Sequence, residues 1–235
     1  MNIGVIPARL ESTRFFRKIL YPIFGKPMIV HVYDRAKQSK TLDSVKLAID
    51  SEITAKELSN FDIDMIMTAR SHVSGSDRVG EVVEKLHADI VVNIQGDEPM
   101  IDPQIIDDLV GIFNDDAVQM ATVASTDLRI GDCDDKNTVK VKIDKLGNAI
   151  GFKRIIKTND VKNYFRHVGL YAYRKKQLMD FIDLPPTENE KELHLEQLRA
   201  IENGIKIRTI ITDFPYRGVD AIEDIQRLKL DEKCR

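Results

Sequence analysis

Gln95, Gly96, Asp97 and Glu98 follow directly on Val91-Val92-Asn93-Ile94, a run that reads as a buried β-strand, and Pro99 closes the stretch. An amide and two carboxylates delivered at a strand end suit chemistry on a phosphorylated ligand, because open α/β sheets bind ligands beyond the carboxyl ends of their strands. Asp97 can hold a divalent cation there. Magnesium takes one or two carboxylates and completes its shell with water and substrate phosphates. A second carboxylate, Asp220, follows Gly218-Val219 in GVDAIED, where it is either a metal ligand or a helix N-cap.

The anion that such a cation would meet is implied by PARLESTRFFRK, residues 7–18. This stretch sets Arg9, Arg14, Arg17 and Lys18 against Glu11 and adds the hydroxyls of Ser12 and Thr13. Guanidinium forks and backbone N–H groups bind polyphosphate oxygens directly. The Walker pattern G-x-x-x-x-G-K-[ST] is absent. Further along, Ser74-Gly75-Ser76 lets the backbone approach a ligand closely, with Asp77 and Arg78 opening the next helix. The same residues also make a plain N-cap with its first-turn charges.

These residues need strands and helices to position them. Apolar runs and alternation predict strands at 2–6 (closed by Pro7), 44–49, 65–67 and 88–94. Helical spacing predicts helices at 27–37, 52–58, 77–86 with Ser76 as N-cap, and 103–113 with a proline in its first turn. That alternation implies an α/β fold with a doubly wound, mainly parallel sheet. The pattern then changes. Strands are expected at 120–125, 139–143, 148–152 and 167–173, with a hairpin turn at 145–148. A capping box, Thr187 to Glu190, opens a helix expected to run to Asn203 and stop at Gly204. A strand at 205–212 and a helix at 221–230 complete the chain. The expected organisation is an α/β nucleotide-binding half (1–125), a smaller mixed α+β insertion with a second substrate site and a subunit contact (126–212), and a return segment (213–235).

The chain has 235 residues and a net charge of −3, which argues against nucleic-acid binding by bulk charge. No apolar run approaches the roughly 18 residues of a membrane span. Arg9 falls where a signal peptide would need its apolar stretch, so a cytoplasmic location is expected. Cys133 and Cys234 are too few for a disulfide framework and belong to no metal-binding cluster, which suits a reducing compartment.

Taken in order, IPARLESTR (6–14), GKPMIVHV (25–32), SGSDR (74–78), NIQGDEP (93–99), VKVKID (139–144), HVGLYAYR (167–174), LEQLRAIENGIKI (195–207) and GVDAIED (218–224) resemble the CMP-Kdo synthetases, the 3-deoxy-manno-octulosonate cytidylyltransferases. The resemblance spans nearly the whole chain. It implies a nucleotidyltransferase-type fold and a magnesium-dependent transfer of CMP from CTP to the anomeric hydroxyl of Kdo, an eight-carbon 2-keto-3-deoxy sugar acid. Pyrophosphate is released, and the product serves lipopolysaccharide synthesis. By the same resemblance Arg9, Arg14 and Lys18 match the triphosphate-binding positions, and Ser74, Gly75, Arg78 and Gln95 the surroundings of the nucleotide. Asp97 and Asp220 match the metal-binding aspartates, and with Arg9 and Lys18 they form the expected catalytic set. Gln95, Arg154, His167, Tyr171, Glu196 and Gln197 match the sugar-acid pocket. Asp50 matches a family aspartate to which no role attaches. The family is typically dimeric, so a homodimer is expected, with neither nucleic acid nor membrane as partner.

Some motifs depart from the family. Its S-T-R-L-P-G-K reads Ser12-Thr13-Arg14-Phe15-Phe16-Arg17-Lys18 here, its F-S-R-x-P-I-P survives only as Arg154, and its G-V-D-T ends in Ala221. The precise sugar acid therefore stays open, 8-amino-Kdo and a sialic-acid type being the alternatives. A nucleoside-diphosphate-sugar pyrophosphorylase would need a further basic phosphate pocket. A glycosyltransferase would usually need Asp-x-Asp, which GDEP does not supply. A non-catalytic sugar-nucleotide-binding protein would be favoured by loss of either aspartate, and both are present.

Overall fold

The computed structural model describes residues 1–11, 15–215, 218–219 and 221–233. In chain order the strands are β1 (Asn2–Ala8), β2 (Pro22–Ile23), β3 (Lys26–Pro27), β4 (Ser44–Ile49), β5 (Met65–Met67), β6 (Ile90–Asn93), β7 (Met120–Ser125), β8 (Lys140–Ile143), β9 (Ala149–Lys153), β10 (Phe165–Arg174) and β11 (Ile207–Thr212). The helices are α1 (Met28–Ala36), α2 (Glu52–Glu57), α3 (Gly75–Glu84), α4 (Pro103–Gly111), α5 (Lys175–Ile182), α6 (Glu188–Leu193), α7 (Gln197–Glu202) and α8 (Ile222–Lys233). A nine-stranded sheet runs β11-β7-β10-β6-β1-β4-β5, with β8 paired to β10 and β9 to β8. β1 is parallel to β4 and β6, β4 to β5, and β7 to β11. β10 enters the middle of this sheet antiparallel to both its neighbours.

Successive strand residues point to opposite faces, so a strand covered on both sides reads as an unbroken apolar run. Val91 and Val92 show this directly. Val92 packs with Ile6, Leu47, Ile29 and Ile106 on the face covered by α1 and α4. Val91 packs with Val5, Val79, Leu178 and Phe181 on the face covered by α3 and α5. The mainly parallel, doubly wound sheet is therefore as expected, and its β6 tip is clamped from both sides. Among the described residues no helix is long and apolar enough to cross a membrane.

Three local expectations give way, and one helix was not foreseen. β1 continues through Pro7 to Ala8; its ladder to β6 ends at Val5, so Pro7 is paired on the β4 side alone and its missing N–H is tolerated. The N-cap of α3 is Ser74, in a capping box with Asp77, and Ser76 is buried within the first turn. α5 begins straight after β10 with no side-chain cap, which left no signal in the sequence. The single helix expected to Asn203 is two. Thr187 and Glu190 form their capping box, but α6 ends at His194, whose φ of 52° is left-handed. The break is held from outside. Arg154 donates to the carbonyls of Leu193 (2.7 Å) and His194 (2.8 Å), while Arg199 of α7 turns back to clasp Glu190 of α6 with both carboxylate oxygens, at 2.9 and 2.6 Å.

Candidate active site

The carboxyl ends of β1 and β6 open on two cavities, of about 320 and 560 Å³. Both volumes fall in the ordinary range for small-ligand sites. Gln95 and Asp97 line both, so the tip of β6 is their common wall. The turn past that tip is tight enough to favour glycine. A Cβ on Gly96 would lie 3.2 Å from the Pro7 carbonyl and 3.0 Å from Ile29 Cδ1.

The smaller cavity gathers Arg9, Lys18, Ser74, Gly75 and Arg78 with Gln95 and Asp97. Arg9 is exposed immediately beyond β1. Ser74 and Gly75 present the N-terminus of α3, where unpaired N–H groups and the helix dipole favour an anion. Lys18 donates to Asp97 Oδ2 at 2.7 Å and to the Val219 carbonyl at 2.9 Å. The Val219 N–H in turn donates to the Asp97 carbonyl at 2.9 Å, so the return segment is stitched to the β6 tip just before position 220. Arg14 and Asp220, with Ser12 and Thr13, lie outside the described residues. Arg78 is 4% exposed, and its guanidinium faces Asp50, Thr68 and Ala69. His72, which sequence reasoning passed over, also lines this cavity and is held by Glu81. An Ala69 N–H, chiefly, keeps the Glu81 carboxyl below its usual range.

The larger cavity is walled by Asn137, Thr138, Arg166 and His167. Arg166 is held by the Asp127 carbonyl (2.9 Å), Thr138 (3.2 Å) and Asp132 (2.9 Å). Nothing in its spacing marked it. Burial lowers the His167 pKa from 6.5 to about 3, so the imidazole is neutral. Its Nε2 is 2.9 Å from the Tyr171 hydroxyl and 3.1 Å from that of Thr122. Burial pushes the Tyr171 hydroxyl well above its ordinary range, so it stays protonated. β10 bulges between Val168 and Tyr171, and within the bulge Gly169 leaves room for Gln95: a Cβ there would meet Gln95 Cγ at 2.9 Å.

The remaining sugar-acid candidates sit behind these walls. Tyr171 reaches the larger cavity through His167. Glu196 accepts from Ser76 at 2.8 Å beneath the start of α3, and burial pushes its carboxyl up. Gln197 is buried in the first turn of α7. Arg154 lines neither cavity. Its guanidinium is occupied by the carbonyls of Lys136, Leu193 and His194, so it is engaged at the α6 end.

No group of three or more acidic, histidine or cysteine side chains among the described residues is arranged to hold a metal. A magnesium site needs only one or two carboxylates, the rest coming from water and phosphate. Asp97 fits that donor set: its side chain is 31% exposed, it faces both cavities, and Val219 brings the chain to it one residue before Asp220.

A family model described as Cytidylyltransferase matches residues 3–207. The 3-deoxy-manno-octulosonate cytidylyltransferase of Geobacter sulfurreducens is 40% identical over 245 residues, covering 97% of this chain and 98% of its own. The enzyme of that name from Zea mays is 42% identical over 236 residues, covering 97% and 79%. The solved structure of a CMP:2-keto-3-deoxy-manno-octonic acid synthetase complexed with CTP superposes with a TM-score of 0.91 at 37% identity, covering 99% of this chain and 98% of that one. Likeness in fold alone extends further, to a putative glucose-1-phosphate thymidylyltransferase from Bacillus anthracis at 17% identity and a TM-score of 0.72. Full-length identity at this level, on a sheet whose central tip carries Gln95 and Asp97 between two cavities, makes the chain a member of the 3-deoxy-manno-octulosonate cytidylyltransferase family.

Proposed function

We propose that the chain transfers CMP from CTP to the anomeric hydroxyl of 3-deoxy-manno-octulosonate, forming CMP-Kdo and releasing pyrophosphate. The observation that carries this reading is the shared wall: one strand tip faces a basic cavity on one side and a polar cavity on the other. A reaction that joins a nucleotide to a sugar needs that arrangement.

In this reading the smaller cavity takes CTP. Arg9, Arg14, Lys18 and the α3 N-terminus receive the triphosphate, and Arg78 supports that wall. The larger cavity takes the sugar acid against Gln95, His167 and Arg166, with Tyr171, Glu196 and Gln197 shaping it from behind. The sugar oxygen attacks the α-phosphorus, the bond to the β-phosphate oxygen breaks, and the hydroxyl proton leaves as the new ester forms. Such a displacement needs mostly positioning and charge neutralisation. Arg9 and Lys18 supply cations to the departing pyrophosphate, and neutral His167 orients the sugar as a hydrogen-bonding group. Asp97 and Asp220 would hold magnesium, which when bound neutralises phosphate charge and makes the sugar hydroxyl a better nucleophile. The enzyme would work as a cytoplasmic homodimer supplying lipopolysaccharide synthesis.

The test is pyrophosphate release with CTP, magnesium and Kdo, run beside ATP, GTP and UTP, beside 8-amino-Kdo and sialic acid, and with Asp97→Ala. Release that needs CTP and Kdo and disappears in the variant is expected. Release only with another sugar acid would keep the mechanism and change the substrate. Failure with every pair, from a folded chain that binds CTP, would remove the enzymatic reading.

A further inference from the structure

Asp50 leaves β4 beside the phosphate-facing loop, because Ile49 lies opposite Ala8 in the β1–β4 ladder. Its two carboxylate oxygens are divided between two walls of the smaller cavity. One accepts the Leu10 N–H at 2.9 Å, next to Arg9; the other accepts from the Arg78 guanidinium at 3.2 Å, in the first turn of α3. The guanidinium also donates to the Thr68 hydroxyl and the Ala69 carbonyl, and Arg70 Nε donates to the Asp50 carbonyl at 2.9 Å. Thr68 is itself tied to the end of β4, through bonds of 2.8 Å to the Ile49 carbonyl. The side chains of Arg78 and Asp50 are 4% and 13% exposed, so the pair is removed from water and its geometry is held by hydrogen bonds on every side.

We propose that Asp50 is a positioning residue for the triphosphate. It sets the separation between the Arg9 loop and the α3 N-terminus, and Arg78 acts through it. The Arg9 loop hangs from the sheet at Ala8, and Ser74 and Gly75 hang from the helix; Asp50 is the side chain that bonds to both bodies. An anion bridging two walls is held tightly only when their spacing matches it, and small misplacements of such groups lower rates steeply. This inference rests on reading the smaller cavity as the CTP site.

The test uses the full chain and two variants, Asp50→Ala and Asp50→Asn. The second keeps an acceptor for Leu10 and replaces the charged acceptor facing Arg78 with an N–H donor. The KM for CTP is expected to rise about tenfold in Asp50→Asn and more in Asp50→Ala, with the KM for Kdo staying within about twofold. Affinity for pyrophosphate alone, measured by calorimetry well below the melting temperature of each variant, falls with the same ratio. An equal loss for CTP and Kdo that follows the melting temperature would overturn the proposal and leave Asp50 a general structural strut. So would an unchanged KM for CTP in both variants. Should the parent chain prove inactive, the pyrophosphate titration still decides: weaker binding in Asp50→Asn supports the positioning role, and equal binding overturns it.

Discussion

The Lys18 ammonium stands 2.7 Å from Asp97 Oδ2 and 2.9 Å from the Val219 carbonyl, so one cation closes three chain segments around the tip of β6. The first of these segments carries the basic loop, the second the expected metal ligand, and the third leads into Asp220. Charge at this junction is shared, and each partner's contribution depends on the others.

Lys18→Met removes the cation and leaves Asp97 beside two open cavities. The Asp97 side chain is 31% exposed, so water rehydrates it and the stability loss is expected to be about 1 kcal/mol or less. On the proposed function, in which Lys18 helps neutralise the departing pyrophosphate, turnover is expected to fall about 100-fold. Adding Asp97→Asn to Lys18→Met should cost far less than the product of the single effects, because the groups act as a unit. Steady-state rates and melting curves on the three variants check this.

Gly169→Ala places a Cβ 2.9 Å from Gln95 Cγ, and the amide must move out of the wall that the two cavities share. Overpacking of this kind costs about 1–3 kcal/mol of stability. The KM for the sugar acid should rise more than that for CTP. In a Gln95→Ala background the same alanine should cost little, and that non-additivity is the diagnostic measurement.

His167 gives a pH signature with a definite sign. Its pKa is 6.5 in an ordinary setting and about 3 in the fold, so between those values the unfolded chain binds the extra proton. Stability therefore falls as pH drops from 6.5 toward 3, by about 1.4 kcal/mol per pH unit from this group alone. His167→Gln should flatten that slope in urea titrations at pH 7, 6 and 5. The parent rate profile should show no limb from protonation of His167 above pH 5.

Arg154→Met tests where that guanidinium works. Three carbonyls, those of Lys136, Leu193 and His194, lose a charged donor at a half-exposed site. A stability loss of about 2 kcal/mol is expected. The KM for Kdo should stay within about twofold. A large KM change at unaltered stability would return Arg154 to the sugar site.

β6 was readable because burial on both faces leaves an unbroken apolar run, and Ile90–Asn93 stands within the expected 88–94; β5, a partly exposed edge strand, was readable from the apolar run Met65–Met67 itself. The Thr187–Glu190 capping box is equally local and equally clear. What sequence could not supply was the destination of long side chains. Arg154 and Arg78 look alike as cations in a motif, yet one caps a helix end 39 residues away and the other meets Asp50 across 28. The break at His194 has the same origin, because helical periodicity continues through it and Arg154 and the Arg199–Glu190 clasp hold the turn from elsewhere in the chain. The role of Asp50 was hidden for that reason too: both its partners come from other elements.

β6 and β7 never touch as a pair; each finds its ladder on β10, which is made only at residues 165–174. During synthesis, therefore, the nucleotide-facing strands emerge with one edge of β6 unpaired and β7 without a strand to lie against. Open edges of this kind invite pairing with other chains. About 40 residues separate the end of β7 from the start of β10, roughly two to eight seconds of translation at 5–20 residues per second. The antiparallel strand that shapes the larger cavity is also the last piece needed to seal the centre of the sheet, so a ribosome that stalls before it leaves a nascent chain prone to aggregate.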